Sequence, residues 1–246
     1  MKPKGMISSD WNECLAPCGP FDFIFFAYPE LEPNLADIFR QYTSNRIPLS
    51  QAVLLLEELL PAPVTQDQMD AYLKKTFIPY KGVPELIEWC RNRDILFMIN
   101  TTGMMGYFQR IFSLKLLPEV PVVSAHPMVR YEDTGGGVHR YDLLEIQDKP
   151  RNTEAAARAF SVPPERIILM GDSGGDGPHF EWGAAAGAFR VSSMIKPSLA
   201  AFCRDKNIPI NLRFGLSYSP GEKKDTEKEM QVDFMNLVPY IEDVLI

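Results

Sequence analysis

The stretch IILMGDSGGD, residues 167–176, runs from four consecutive apolar residues into two carboxylates, Asp172 and Asp176, set four positions apart among glycines. A short apolar run closed by glycines reads as a buried strand leaving the core through a tight turn. Two negative charges placed together at such a point repel each other unless a cation neutralises them. The pattern therefore predicts a site at the end of this strand and asks what else the chain brings there.

Other polar groups lie beside or just past apolar elements. GMISS (5–9), a weaker strand, ends at Asp10; ILFMIN (95–100), a strong buried strand, is followed by Thr101 and Thr102. Lys149 stands in DKPRN, just before the alanine-rich helix NTEAAARAF (152–160). VPVVSA (120–125) and FRV (189–191) read as further strands, and 83–94, 105–114 and 180–189 as helices. Strands alternating with helices from residue 95 onward predict an α/β fold, a Rossmann-like parallel sheet flanked by helices. Such sheets bind ligands at the carboxyl ends of their strands, where Asp10, Thr101 and Asp172 would converge. Carboxylates, hydroxyls and one ammonium suit a phosphate and a hard cation, with Asp10 and Asp172 as oxygen ligands of Mg2+.

Residues 16–80 break the alternation and read as helical. In NLADIFRQY, Leu35, Ile38, Phe39 and Tyr42 share a face. LSQAVLLLEELL takes Ser50 as its N-cap and stops at Pro61 and Pro63; TQDQMDAYLKKTF takes Thr65 as its cap. The expected division is a core of residues 1–15 and 81–246 with a small helical cap of residues 16–80. The aromatic cluster Phe21, Phe23, Phe25, Phe26 and Tyr28 reads as packing at the cap hinge, or as an apolar wall of the pocket. YEDTGGGVHRYDLLEI (131–146) reads as a hairpin or flexible loop, and GEKKDTEKEM (221–230) as a solvated loop or helix face.

Bulk properties agree with an ordinary soluble globular protein, one large domain or a domain with an insert. The 246 residues are 46% hydrophobic and 23% charged, and the net charge of −7 argues against nucleic acid or an anionic membrane as partner. Cys14, Cys18, Cys90 and Cys203 are scattered and read as reduced structural thiols. The apolar run FDFIFFAY (21–28) falls far short of the ~20 residues a membrane helix needs. Met1-Lys2-Pro3-Lys4 does not open a secretory leader, so a cytoplasmic location is expected. His126, His139 and His179 lack metal spacing and read as structural or surface groups, with the pocket rim as the alternative for His179.

Four motifs, DWNECL (10–15), INTTG (99–103), DKP (148–150) and GDSGGD (171–176), resemble in order and spacing those of the haloacid dehalogenase superfamily of phosphohydrolases. The helical stretch, with IPLSQAV and then ELLP, is similar to the cap of phosphoserine phosphatases and of methylthiopentenyl-phosphate phosphatases. The resemblance implies a Mg2+-dependent phosphatase acting on a small phosphorylated metabolite through an aspartyl-phosphate at Asp10. Thr101, with the backbone N–H groups of Thr102 and Gly103, would bind the phosphoryl group. Lys149 would neutralise it and hold Asp10. Asp172, Asp10 and the backbone carbonyl of Asn12 would ligate the metal, and Asp176 would orient Lys149 or a water.

One position departs from that pattern. The family's second aspartate, two residues after the nucleophile, is its general acid and base; here it is Asn12, and an amide performs neither task. Losing such catalysis typically costs about 10²–10⁴-fold in rate. Glu13 and Cys14 replace the usual glycine and threonine, and Glu13 is one alternative proton source. Two rival functions follow: a non-catalytic phosphate- or metabolite-binding protein, favoured by Asn12, and an enzyme of the same fold cleaving a carbon–halogen or phosphorus–carbon bond. The phosphorus–carbon reaction would call on a cap lysine, with Lys74, Lys75 and Lys81 as candidates.

Overall fold

A computed structural model describes residues 2–43, 46–132 and 137–246. Seven strands form one parallel sheet: β1 (Gly5–Ser9), β2 (Ile95–Met104), β3 (Val122–His126), β4 (His139–Asp142), β5 (Ile167–Gly171), β6 (Phe189–Ile195) and β7 (Leu212–Ser217). Their order is β4-β3-β2-β1-β5-β6-β7. β1 pairs with β2 on one side and β5 on the other, so the chain reverses its direction of winding beside β1. A crevice opens at the carboxyl ends of the strands at such a point. Asp10 and Asp172 stand on its two sides.

Alternating side chains of the central strands feed two cores. Ile7, Phe97, Ile99, Ile168 and Met170 enter one, and Met6, Leu96, Met98, Ile167 and Leu169 the other. A strand covered on both faces has no solvent side, and all of β1, β2, β3 and β5 is buried. β1 is weakly apolar because Ser8 and Ser9 find internal partners: Ser8 Oγ lies 2.8 Å from Thr153 Oγ1, and Ser9 Oγ donates to the Asp10 carbonyl.

Four helices, α1 (Asp22–Ala27), α2 (Glu32–Thr43), α3 (Leu49–Leu59) and α4 (Gln66–Thr76), lie between β1 and α5 (Val83–Asn92). α1 arises in the aromatic cluster, where Phe23 and Phe26 pack on Tyr72 and Phe21 on Phe39 and Tyr42. α4 has the expected Thr65 cap, reciprocated by Gln68. α3 differs from expectation. It begins at Leu49 after Pro48, and Ser50 is inside it. Its N-terminal N–H groups are satisfied from across the molecule: the Glu145 carboxylate accepts from Leu49 N (3.2 Å) and Ser50 N (3.0 Å).

The remaining helices are α6 (Met105–Ser113), α7 (Asp148–Ala159), α8 (Gly177–Ala186), α9 (Pro197–Asp205), α10 (Thr226–Glu229) and α11 (Val238–Leu245). Two sequence expectations are corrected here. The reading of 131–146 as a hairpin or loop fails at its second half: β4 is an edge strand parallel to β3, from Val122↔His139 to Ala125↔Asp142. Gly135 and Gly136 lie outside the described residues. The run 221–230 is more than a solvated face. Glu229 is buried and accepts from the hydroxyls of Tyr80 (2.5 Å) and Tyr218 (2.8 Å), while Lys224 reaches back to Glu13 (2.9 Å) and the Pro17 carbonyl (3.0 Å). No described helix is long and apolar enough to cross a membrane, and the four cysteines are free.

Candidate active site

The opening motif turns on Asp176. Its Oδ2 accepts the backbone N–H groups of Asp172 (2.9 Å) and Ser173 (3.3 Å), folding the carboxylate back over the strand end. Any side chain at residue 171 would collide with it: a Cβ there would lie 2.4 Å from Asp176 Cγ. Gly171 is therefore what lets β5 end against its own carboxylate.

Lys149 joins the motifs. It sits in the first turn of α7, which starts at Asp148, four residues earlier than the alanine-rich run suggests. Its fully buried Nζ donates to Asp176 Oδ1 at 2.6 Å and lies 3.2 Å from Asp10 Oδ2. Burial alone would push the ammonium down, but Asp10 and Asp176 more than reverse this and hold it above the usual lysine range. Asp10 follows β1, with its N–H on the Met170 carbonyl and its Oδ1 on Trp11 N at 2.7 Å. Burial raises the Asp10 carboxyl, with Lys149 opposing.

Asp172 faces the same space. Carboxylate oxygens of Asp10, Asp172 and Asp176 lie within 4.8 Å of one another, all buried. Asp172 Oδ1 has no hydrogen-bond donor although it is buried, a costly state for a charged atom. Burial and the neighbouring Asp176 and Asp10 raise the Asp172 carboxyl to about 8, against the opposing pull of Lys196. An orphaned oxygen in a dry cluster of three carboxylates is what a hard divalent cation would satisfy, so these residues fit Mg2+.

Thr101 and Thr102 diverge. Thr101 is turned inward beside Asp10: its Oγ1 donates to Asn12 Oδ1 (3.0 Å) and accepts Gly103 N–H (3.2 Å). Thr102 lines a cavity of about 500 Å³ above the strand ends, together with Asp10, Lys149, Tyr42, Arg46 and Glu145. Gly103 is required by closeness, since a Cβ there would stand 2.7 Å from Asn12 Oδ1. Asn12 is locked in one orientation, Oδ1 toward Thr101 and Nδ2 donating to the Cys18 carbonyl at 3.3 Å.

Glu13 does not replace the missing acid. Burial would raise its carboxyl, but Lys196 and Lys224, both on it, hold it below the usual range and keep it ionised. Lys196 also lies 2.7 Å from Asp172 Oδ2. The sequence reading missed Lys196, Lys224, Arg46 and Glu145. Tyr42 was visible only as part of the apolar face of α2. Lys74, Lys75 and Lys81 do not line the cavity; Lys75 lies over Phe26, and Lys81 pairs with Asp233.

His179 is neither a surface nor a rim group. It is fully buried beneath the site, where its Nε2 pairs with Thr153 Oγ1 at 2.8 Å. Thr153 in turn receives Asn100 Nδ2 (2.9 Å), which also bonds the Lys149 carbonyl (2.8 Å). Burial, aided by Lys149, lowers the imidazole to about 3. Unfolded chains take up this proton near pH 6.5 and folded ones only near 3, so the contribution of neutral His179 is present above pH 6.5 and lost as pH falls. In denaturant titrations, the stability advantage of wild type over His179→Gln should shrink by about 1.4 kcal/mol per pH unit between pH 6.5 and 4.5. A constant difference would show that folding does not lower the pKa of this imidazole.

No family model and no curated protein matches the sequence. Solved structures do match. A phosphoserine phosphatase holding a phospho-aspartyl intermediate analogue superposes with a TM-score of 0.66 at 17% identity, over 98% of this chain and 100% of its own. A substrate-bound phosphoserine phosphatase gives 0.68 at 17% identity, with the same coverage. A HAD-family hydrolase from Salmonella enterica serovar Typhi gives 0.68 at 17%, over 99% of this chain and 72% of its own. At that identity the likeness concerns architecture, and it extends over nearly the whole chain: the protein has the fold of the haloacid dehalogenase-type phosphatases.

Proposed function

We propose that the protein is a Mg2+-dependent phosphohydrolase of a small phosphorylated metabolite, with Asp10 as nucleophile. The observation that carries this reading is Lys149, buried between Asp10 and Asp176 beside the orphaned oxygen of Asp172. Two ammoniums, Lys149 and Lys196, beside three buried carboxylates leave one negative charge in excess. A divalent cation would turn that excess into a net positive floor for the phosphate.

In this reading an Asp10 oxygen attacks phosphorus as the bond to the leaving oxygen breaks, the alkoxide departs toward the cavity and takes its proton from solvent, and water then attacks the acyl phosphate at phosphorus, releasing inorganic phosphate and freeing Asp10. Lys149 neutralises the phosphoryl oxygens and fixes Asp10, while the hydroxyl and backbone N–H of Thr102 supply donors. Asp10, Asp172 and the Asn12 carbonyl would hold Mg2+, which supplies charge neutralisation between nucleophile and phosphoryl group. The helices of residues 22–76 serve as the cap. Tyr42, in α2, and Arg46, between α2 and α3, line the cavity. Asp176 positions Lys149 and the turn that carries Asp172. Asn12 contributes neither acid nor base, so the leaving oxygen departs unprotonated by residue 12.

A second reading, a phosphate-binding protein without turnover, is favoured by that same locked amide. A panel of phosphomonoesters separates the two. With Mg2+, p-nitrophenyl phosphate should turn over, while alkyl phosphates lag by about 10²-fold or more because their leaving groups need a proton. Chelation should stop both. Absence of turnover on every ester, with phosphate still bound by calorimetry, would establish the binding protein instead.

A further inference from the structure

Lys196 is placed with unusual effort. It is the residue after β6, and its own backbone N–H donates to the Asp172 carbonyl at 2.8 Å. Just before it the pairing of β6 with β7 shifts register between Ser193 and Ile195, and Met194 takes a left-handed φ of 49°. Such a bulge re-aims the side chains that follow it. Across the crevice Glu13 also takes a left-handed φ, 58°, a region costly to residues that carry a Cβ. Strained conformations persist where the surroundings over-determine them. Here the surroundings are ionic: Glu13 receives Lys196 on one oxygen and Lys224 on the other, and Lys224 is anchored in turn by the Pro17 carbonyl and lies 3.5 Å from buried Glu229.

The outcome of this construction is a fixed positive charge 2.7 Å from Asp172 Oδ2. Lys149 cannot serve there, being committed to Asp10 and Asp176. Neither Asp172 oxygen has a hydrogen-bond donor, and Lys196 lies on Oδ2, so a divalent ion taken up through Oδ1 would share this carboxylate with an ammonium.

We infer that Lys196, clamped by Glu13, is a tethered counter-cation of Asp172 that competes with the divalent metal for this carboxylate, so that the protein holds its fold without metal and binds Mg2+ weakly. The inference rests on the metal site of the proposed function and concerns affinity rather than chemistry. Removing a unit charge at contact distance from a doubly charged ion strengthens its binding by well over the error of a titration.

Calorimetric titration of the metal-free protein with Mg2+, and with Mn2+ as a second ion, tests it. Lys196→Met should tighten binding by about tenfold or more, Lys196→Arg should keep the wild-type affinity, and Asp172→Asn should abolish the heat. In chelator, Lys196→Met should also melt below wild type, with added Mg2+ closing the gap. Lys196→Gln provides the same comparison where the methionine variant does not fold. Equal or weaker metal binding by Lys196→Met and Lys196→Gln, with Asp172→Asn still abolishing it, would overturn the inference and leave the phosphatase reading standing. No heat from any variant would overturn the inference together with the metal site it rests on.

Discussion

Asp10→Asn should abolish turnover of p-nitrophenyl phosphate, lowering kcat by about 10⁴-fold or more, because an amide cannot attack phosphorus to form the acyl phosphate. The fold should survive. Asparagine fills the same volume, its carbonyl oxygen can still accept the Trp11 N–H that Asp10 Oδ1 takes at 2.7 Å, and Lys149 retains Asp176 at 2.6 Å. Burial already disfavours the charged form of residue 10, so a neutral isostere loses little of what the carboxylate contributes to stability. Initial rates and intact-mass measurement of the quenched enzyme check it together. Wild type should carry a phosphoryl adduct absent from the variant. A variant within tenfold of wild type would move the nucleophile elsewhere.

Asn12→Asp should act in the opposite direction, raising kcat on alkyl phosphates by about 10²–10⁴-fold while changing p-nitrophenyl phosphate little. The surroundings of residue 12 are suited to a carboxylic acid. The Cys18 carbonyl, which now accepts Asn12 Nδ2 at 3.3 Å, would accept a carboxyl O–H, and the Thr101 hydroxyl would keep donating to the other oxygen. A hydrogen bond offered by the neutral form, in a partly buried place, favours the protonated acid, the state a leaving alkoxide needs. The slope of log kcat against leaving-group pKa measures the change directly: steep for wild type, shallow for the variant. Equal slopes would show that proton transfer to the leaving group does not limit the protein.

How much of this was legible in the residues depended on the range of the interactions. β2 and β5 announce themselves through unbroken apolar runs because both faces of a central strand are covered. The polar residues at their ends could be paired in advance because a parallel sheet brings strand ends together. β4 could not be read: HRYD is short, polar and at most half-buried, and becomes a strand only because Val122–Ala125 offers an edge. The start of α3 was misplaced since its cap comes from Glu145, some ninety-five positions away, rather than from an adjacent serine. The ion pairs on Glu13 leave no periodic trace either; residues 13, 196 and 224 are joined only by the folded chain. Glu13 stands where the resembling family carries glycine, and its left-handed φ is the physical reason a glycine suits that position.

That long-distance tie bears on how the molecule is made. The loop after the first strand is held by Lys224, 211 positions further along. During synthesis, domains fold as units once their parts have emerged, and a contact of such separation is closed late, after its loop entropy has been met. A ribosome-bound chain halted short of that lysine would carry every one of the four motifs yet leave the first of them loose, so that motif should become ordered only once Lys224 has emerged, well after the last motif.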